Sequence, residues 1–202
     1  MRITSSFYDK NAAELAKQYD GLDFESVHQS WKRYWPPSGA SVLDVGAGSG
    51  RDAKWFDLLG CDVIAVEPAK ALRELGIRNT GSSVTWFDDS LPLLNEVTSL
   101  SLQFQLIVVS AVWMHIPINQ RQPALWALNE LLSQEGKLVV TLRHGEFLDG
   151  RESYGVSLEE LEAMAAAVGL VVCHISESMD VLARDAVHWQ TVVLKKACIE
   201  RK

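Results

Sequence analysis

The 202-residue chain carries only three cysteines, Cys61, Cys173 and Cys198, widely separated and without a C-x-x-C pair. An odd, scattered set of thiols supports neither a disulfide framework nor a zinc site, and it fits a reducing compartment. No metal is expected. Long apolar runs are also missing: the longest, Leu106 to Met114, falls far short of the ~20 residues that span a bilayer. From Met1 to Lys17 polar and apolar residues alternate, so no signal peptide is expected. Basic charge is scarce, with 19 Lys and Arg against 26 Asp and Glu, a formal charge of −7. Such a chain lacks the electrostatic footprint that draws proteins to nucleic acid or anionic membranes. Lys195, Lys196, Arg201 and Lys202 are expected as a solvated tail. These absences predict a cytoplasmic protein with no membrane partner and with nucleic acid disfavoured.

Apolar residues make up 48% and charged residues 22%, enough for a packed core. The length suits one domain on a prior of ~150 residues each. From about residue 40, short Val-, Ile- and Leu-rich runs alternate with helical patterns. Strands are predicted at 41–45, 61–66, 84–87, 106–110, 137–142, 170–175 and 187–194, and helices at 51–59, 120–132 and 157–168. Ser157 marks a helix start, and Gly169 and Gly136 are expected to cap helix C-termini. This alternation predicts an α/β domain with a sheet covered on both faces by helices. Residues 7–35 are expected as a helical extension, stopped by Pro36-Pro37. The domain plan is thus an N-terminal helical lid over 1–37 and one globular domain over 38–202.

The most informative segment is Asp44-Val45-Gly46-Ala47-Gly48-Ser49-Gly50-Arg51-Asp52, which follows a strand and opens a helix. Glycines there permit a tight turn and close approach of a ligand to backbone N–H groups. A dinucleotide fingerprint is excluded, because its third glycine would stand where Arg51 does. A P-loop is excluded by the lack of Lys-Ser or Lys-Thr after the loop. An acid two residues before the first glycine suits a ligand with an ammonium beside its carboxylate, which is an amino acid.

This segment resembles the first motif of the class I S-adenosylmethionine-dependent methyltransferases. Val63-Ile64-Ala65-Val66-Glu67-Pro68 resembles the family's second strand, with Glu67 lying 23 residues after Asp44. Asp88-Asp89-Ser90-Leu91-Pro92 resembles the third-strand loop, and 106–110 and 131–138 resemble the fourth strand and the turn into the fifth. The resemblance implies a doubly wound, mostly parallel seven-stranded sheet with its last strand antiparallel. It implies S-adenosylmethionine as cofactor, with S-adenosylhomocysteine as product. Asp44, Gly46, Gly48, Gly50, Arg51, Glu67, Asp88, Asp89 and Ser110 would hold that cofactor, and Tyr8 and Tyr19 would close over it.

Methyl transfer needs a positioned nucleophile and excluded water more than a catalytic triad. The family's methyl-facing loop corresponds to Ser110 to Pro117, which offers His115 as a base and Trp113 as a stacking surface. Arg143, His144, Arg151 and Tyr154 follow the fifth strand, and Arg184 and His188 precede the last. These basic residues predict a small acceptor bearing an anionic group. No Asn/Asp-Pro-Pro-aromatic tetrapeptide and no Pro-Cys occurs, against base amino-group and pyrimidine C5 methylation. Two other readings stay open: a tRNA or protein methyltransferase, and a non-catalytic S-adenosylmethionine-binding protein. A monomer or homodimer is expected.

Overall fold

A computed structural model describes residues 2–197; Met1, Cys198, Arg201 and Lys202 lie outside the described residues. Seven strands form one sheet: β1 (Ser41–Val45), β2 (Asp62–Val66), β3 (Thr85–Phe87), β4 (Phe104–Val109), β5 (Leu132–His144), β6 (Leu170–Met179) and β7 (His188–Lys196). Their order across the sheet is β3-β2-β1-β4-β5-β7-β6, parallel except for β7, which runs antiparallel to β5 and β6. The order reverses between β1 and β4, which opens a crevice beyond the carboxyl ends of those strands.

Alternation along β4 builds both layers. Leu106 and Val108 join Ala53 and Phe56 of α4 (Arg51–Leu58) on one face. Ile107 and Val109 meet Leu125 and Leu128 of α7 (Ile118–Leu131) on the other, together with Leu161 of α8 (Leu158–Ala167). Helices therefore cover both faces, as expected. The N-terminal stretch is not one helix. It divides into α1 (Arg2–Lys10), α2 (Ala12–Asp20), α3 (Phe24–His28) and a 3-10 segment, Gln29–Tyr34. Asp23 starts α3 afresh, its carboxylate accepting the Ser26 N–H at 2.8 Å. Trp35 turns extended before Pro36, ending the helical run where predicted.

Ser157 caps α8 by accepting the Glu160 N–H, and Gly169 follows that helix with φ +82°. Gly136 does not cap a helix. It lies within β5, in a bulge where Phe104 pairs with Leu132 but Leu106 with Lys137. A Cβ on Gly136 would stand 2.9 Å from the Phe104 carbonyl oxygen, so glycine serves close strand approach. Two helices escaped the periodicity, α5 (Lys70–Thr80) and α6 (Asn95–Ser99). Gly76 interrupts the α5 pattern because a side chain there would strike the Trp86 ring at 2.2 Å. The edge strand β6 is also less covered than predicted, with Val171, Ile175 and Met179 exposed. No helix among the described residues is long and apolar enough to cross a membrane.

Candidate active site

The turn after β1 is held open by backbone geometry. Gly46, Gly48 and Gly50 have φ of +75°, +58° and +87°, and the N–H groups of Gly46 and Ala47 both donate to the Val66 carbonyl. Only glycine takes such values without strain. At Gly46 space is a second reason, since a Cβ would fall 2.3 Å from Val112 Cγ2.

Two carboxylates flank this turn. Glu67, at the end of β2, accepts the Gly48 N–H at 2.9 Å and the Ala69 N–H at 2.7 Å. Burial nonetheless pushes its pKa up to about 7. Asp44 is also buried, and its Oδ2 has no hydrogen-bond partner. Burial, then the nearby Asp52, raises its pKa well above the usual carboxylate range. Asp52 goes the opposite way despite burial, because it accepts His28 Nε2 at 2.9 Å and Arg51 Nε at 2.6 Å. His28 Nδ1 accepts the Trp31 indole N–H, which leaves the imidazole proton on Nε2 for Asp52.

Asp44, Glu67 and the turn residues Gly46 to Ser49 line one end of a cavity of about 230 Å³, whereas Gly50, predicted with them, lies outside the lining against Trp86 and α5. Ser110, Arg51, Tyr8, Tyr19, His115, Arg143, Arg151 and Arg184 line it too, so most predicted site residues converge there. His115 Nδ1 donates to the Glu152 carbonyl at 2.7 Å, which leaves Nε2 as a lone pair accepting the Tyr8 hydroxyl at 3.0 Å. Burial, with Arg151 and Arg143 nearby, lowers the His115 pKa and keeps the ring neutral. Ala111, in the same loop, adopts φ +57° with its N–H on Thr141 Oγ1 at 2.7 Å.

The N-terminal helices close the cavity through Arg151 and two carboxylates, with Ala12 and Ala16 packed on Ala69 and Leu72 at the start of α5. Arg151 Nη1 donates to the hydroxyls of Tyr8 at 3.2 Å and Tyr19 at 3.1 Å, while Asp149 grips the same guanidinium. Asp20, at the end of α2, accepts the Ser49 hydroxyl at 2.5 Å, and Asp9 accepts the Ala71 N–H at 2.8 Å. Burial raises the Tyr8 pKa, so its hydroxyl stays protonated.

The far wall comes from strands. Thr141 and Arg143 of β5 pair in register with Thr191 and Trp189 of β7, and all four line the cavity. Arg184 is bound by Asp180 through two bonds of 2.8 and 2.7 Å, and Asp180 also accepts the Trp189 indole N–H. These donors hold the Asp180 pKa at about 2 in spite of its burial.

Several predicted residues lie elsewhere. The Trp113 side chain is fully buried in the core beneath α7 and presents no face to the cavity. Asp88 pairs with Arg73 on the surface, and Asp89 accepts the N–H groups of Glu96 and Val97. His144 and His188 stack on one another at 4.4 Å across the β5–β7 ladder, outside the cavity lining. Tyr154 donates its hydroxyl to Glu152. Conversely His28, Asp52, Thr141, Thr191, Phe147 and Asp180 line the cavity unforeseen. Thr141 did leave a signal, being polar and in phase with Arg143 within the apolar stretch Leu138 to Leu142. His28 left none, since 24 residues separate it from Asp52.

Comparison with known proteins follows the same line. A family profile described as a methyltransferase domain matches residues 15–196. An uncharacterized methyltransferase of Alkaliphilus oremlandii is 29% identical over 105 residues, 49% of this chain and 44% of the relative. One from Oceanobacillus iheyensis is 27% identical over 132 residues, 65% of this chain and 60% of the relative. The chain thus spans about half the length of the curated relatives it matches. Among solved structures, a TehB-like SAM-dependent methyltransferase from Corynebacterium glutamicum superposes with TM-score 0.67 at 22% identity, covering 97% of this chain and 100% of that one. Magnesium protoporphyrin IX methyltransferase from Synechocystis PCC 6803, with bound SAH, gives 0.75 at 11%, covering 97% and 99%. These likenesses establish the shared fold.

Proposed function

The chain belongs to the methyltransferase domain family, and on that premise we propose that it transfers a methyl group from S-adenosylmethionine to a small-molecule acceptor bearing an anionic group. The observation that carries this reading is the continuity of one cavity. It runs from the unpartnered Asp44 carboxylate to a wall of arginines, tyrosines and His115.

The residues present fit the cofactor. The orphan oxygen of Asp44 suits an ammonium group, the Glu67 carboxylate suits a pair of hydroxyls, and the open glycine turn leaves room for a ligand against the backbone. When bound, S-adenosylmethionine supplies an electrophilic methyl on a sulfonium. The chain itself supplies alignment and a dry site. The tyrosines and Arg151 seal the cavity from the N-terminal side, which excludes water and holds an acceptor in line. His115 offers a lone pair at Nε2, and an acceptor O–H or N–H that takes the place of the Tyr8 hydroxyl would give its proton there. The arginine-lined wall supports an acceptor with a negative group.

Calorimetry with S-adenosylhomocysteine, followed by labelled-methyl transfer to a panel of small acids, tests the reading. Binding and label in an acid are expected. No binding would sink the reading, and label appearing only in RNA or protein fractions of a lysate would replace the small acceptor with a macromolecule.

A further inference from the structure

Four guanidinium groups line the cavity, and they differ in what balances them. Arg51 is matched by Asp52, Arg151 by Asp149, and Arg184 by Asp180. Arg143 has no carboxylate in ion-pair contact among the described residues. Its Nη atoms meet only carbonyl oxygens, those of Gly145 and Glu146, and its Nε–H is buried without a partner. The residue is 5% exposed. A buried cation without a counter-ion in contact is costly, which points to an anion supplied from outside the chain. Burial, then the nearby Arg184 and Arg151, pull its pKa down; Asp180 and Asp149, already bonded to those two arginines, oppose the shift without reversing it.

What surrounds Arg143 defines the missing partner. Thr141 stands two residues away on the same face of β5, with Thr191 across the ladder from it. Each threonine oxygen accepts a bond, from the Ala111 N–H at 2.7 Å and the Ser30 hydroxyl at 3.4 Å, which leaves its O–H available to donate. One flat surface completes the subsite: the Trp189 indole, opposite Arg143 and fixed by its 2.9 Å bond to Asp180. The Phe147 ring is engaged by the protein itself, with Arg143 3.8 Å and Arg151 4.7 Å from it and His115 stacked on it at 5.4 Å, so it holds the guanidinium in place.

We propose that Arg143, Thr141 and Thr191 form the seat for a single carboxylate on a planar, unsaturated molecule, with Trp189 as its wall and Phe147 holding the Arg143 guanidinium. One unbalanced cation calls for one negative charge, which favours a carboxylate over a phosphate dianion. Calling this molecule the methyl acceptor rests on the methyltransferase reading; the seat itself does not.

The test uses the intact protein with benzoate as probe, alongside benzamide and phenyl phosphate, read by ligand-detected NMR with and without S-adenosylhomocysteine. Benzoate is expected to bind in the millimolar range or tighter, with benzamide and phenyl phosphate at least about tenfold weaker. Arg143→Gln should lose about tenfold or more in benzoate affinity and Arg143→Lys less, with S-adenosylhomocysteine affinity within about twofold. Thr141→Val gives an independent variant should Arg143→Gln not fold, and it should weaken benzoate several-fold. Equal binding of benzamide, tighter binding of phenyl phosphate, no benzoate binding at millimolar concentration, or unchanged affinity in the variants each overturns the seat. So does loss of S-adenosylhomocysteine affinity in Arg143→Gln, which would assign the cation to the cofactor. Benzoate binding at Arg143 in a protein that ignores S-adenosylhomocysteine would uphold the seat and remove the methyltransferase reading.

Discussion

Asp44 stands two residues before the first glycine of the turn and Glu67 meets the turn across the sheet through the Gly48 N–H, yet burial leaves the two in different situations. Asp44 keeps an oxygen with no donor, whereas Glu67 already accepts two backbone N–H groups. A charged hydrogen bond to a ligand should therefore matter most at Asp44. Asp44→Asn is expected to weaken S-adenosylhomocysteine binding by about 1.5–3 kcal/mol, measured by calorimetry. Glu67 makes a prediction about pH. Its folded pKa of about 7 lies above the ordinary 4.5, so between those values the folded state holds a proton that the unfolded state has released. Stability from this group is therefore full below about 4.5 and is lost as pH rises toward 7. His115, held below its ordinary pKa, acts in the opposite sense on acidification below 6.5. The difference between wild type and Glu67→Gln isolates the carboxyl: on moving from pH 7 to pH 5, wild type should gain unfolding free energy relative to the variant, followed by urea titration.

At the level of elements, the loop between β5 and α8 binds the two N-terminal helices through Arg151. Its planar fork meets two tyrosine hydroxyls and Asp149 at once, an arrangement a lysine ammonium cannot reproduce. Arg151→Gln should leave the sheet intact and release α1 and α2, seen as faster amide exchange confined to those helices and a raised KM for the cofactor. Arg151→Lys should not restore either. Exchange unchanged in α1 and α2 would mean that Asp9, Asp20 and the apolar packing of Ala12 and Ala16 on Ala69 and Leu72 hold the helices without Arg151. The elements were unevenly legible. Strands β1 to β4 and helices α4, α7 and α8 announced themselves by period, cap residues and bounding glycines. α5 did not, because Gly76 makes room for Trp86, a partner ten residues away whose ring no local pattern reveals. Gly136 misled for a related reason: a glycine after a helix resembles a cap, and only the β4 backbone beside it explains why a side chain is refused there.

For the molecule as a whole, Phe24 and Trp31 join the N-terminal segment to the sheet. Trp31 is fully buried beside Val42, Phe56 and Val63, so the segment shares the sheet's core. One cooperative unfolding transition is expected by calorimetry, with calorimetric and van't Hoff enthalpies equal. S-adenosylhomocysteine at 100 times its Kd should stabilise that transition by about 2.7 kcal/mol. Two separated transitions would show that the segment folds independently. Scarce thiols, an acidic balance, strand–helix alternation and the Asp44-to-Gly50 turn were enough to reach the fold class and the glycine-turn end of the cavity, because local chemistry dictates each of them. The arginine-lined end was not written in any one stretch. Whether Arg143, Arg151 or Arg184 has an unmatched charge depends on Asp149, Asp180 and the β5–β7 register, and whether Trp113 faces a ligand or the core depends on α7. Charge compensation and burial are properties of neighbours in space, and only the folded chain brings those neighbours together.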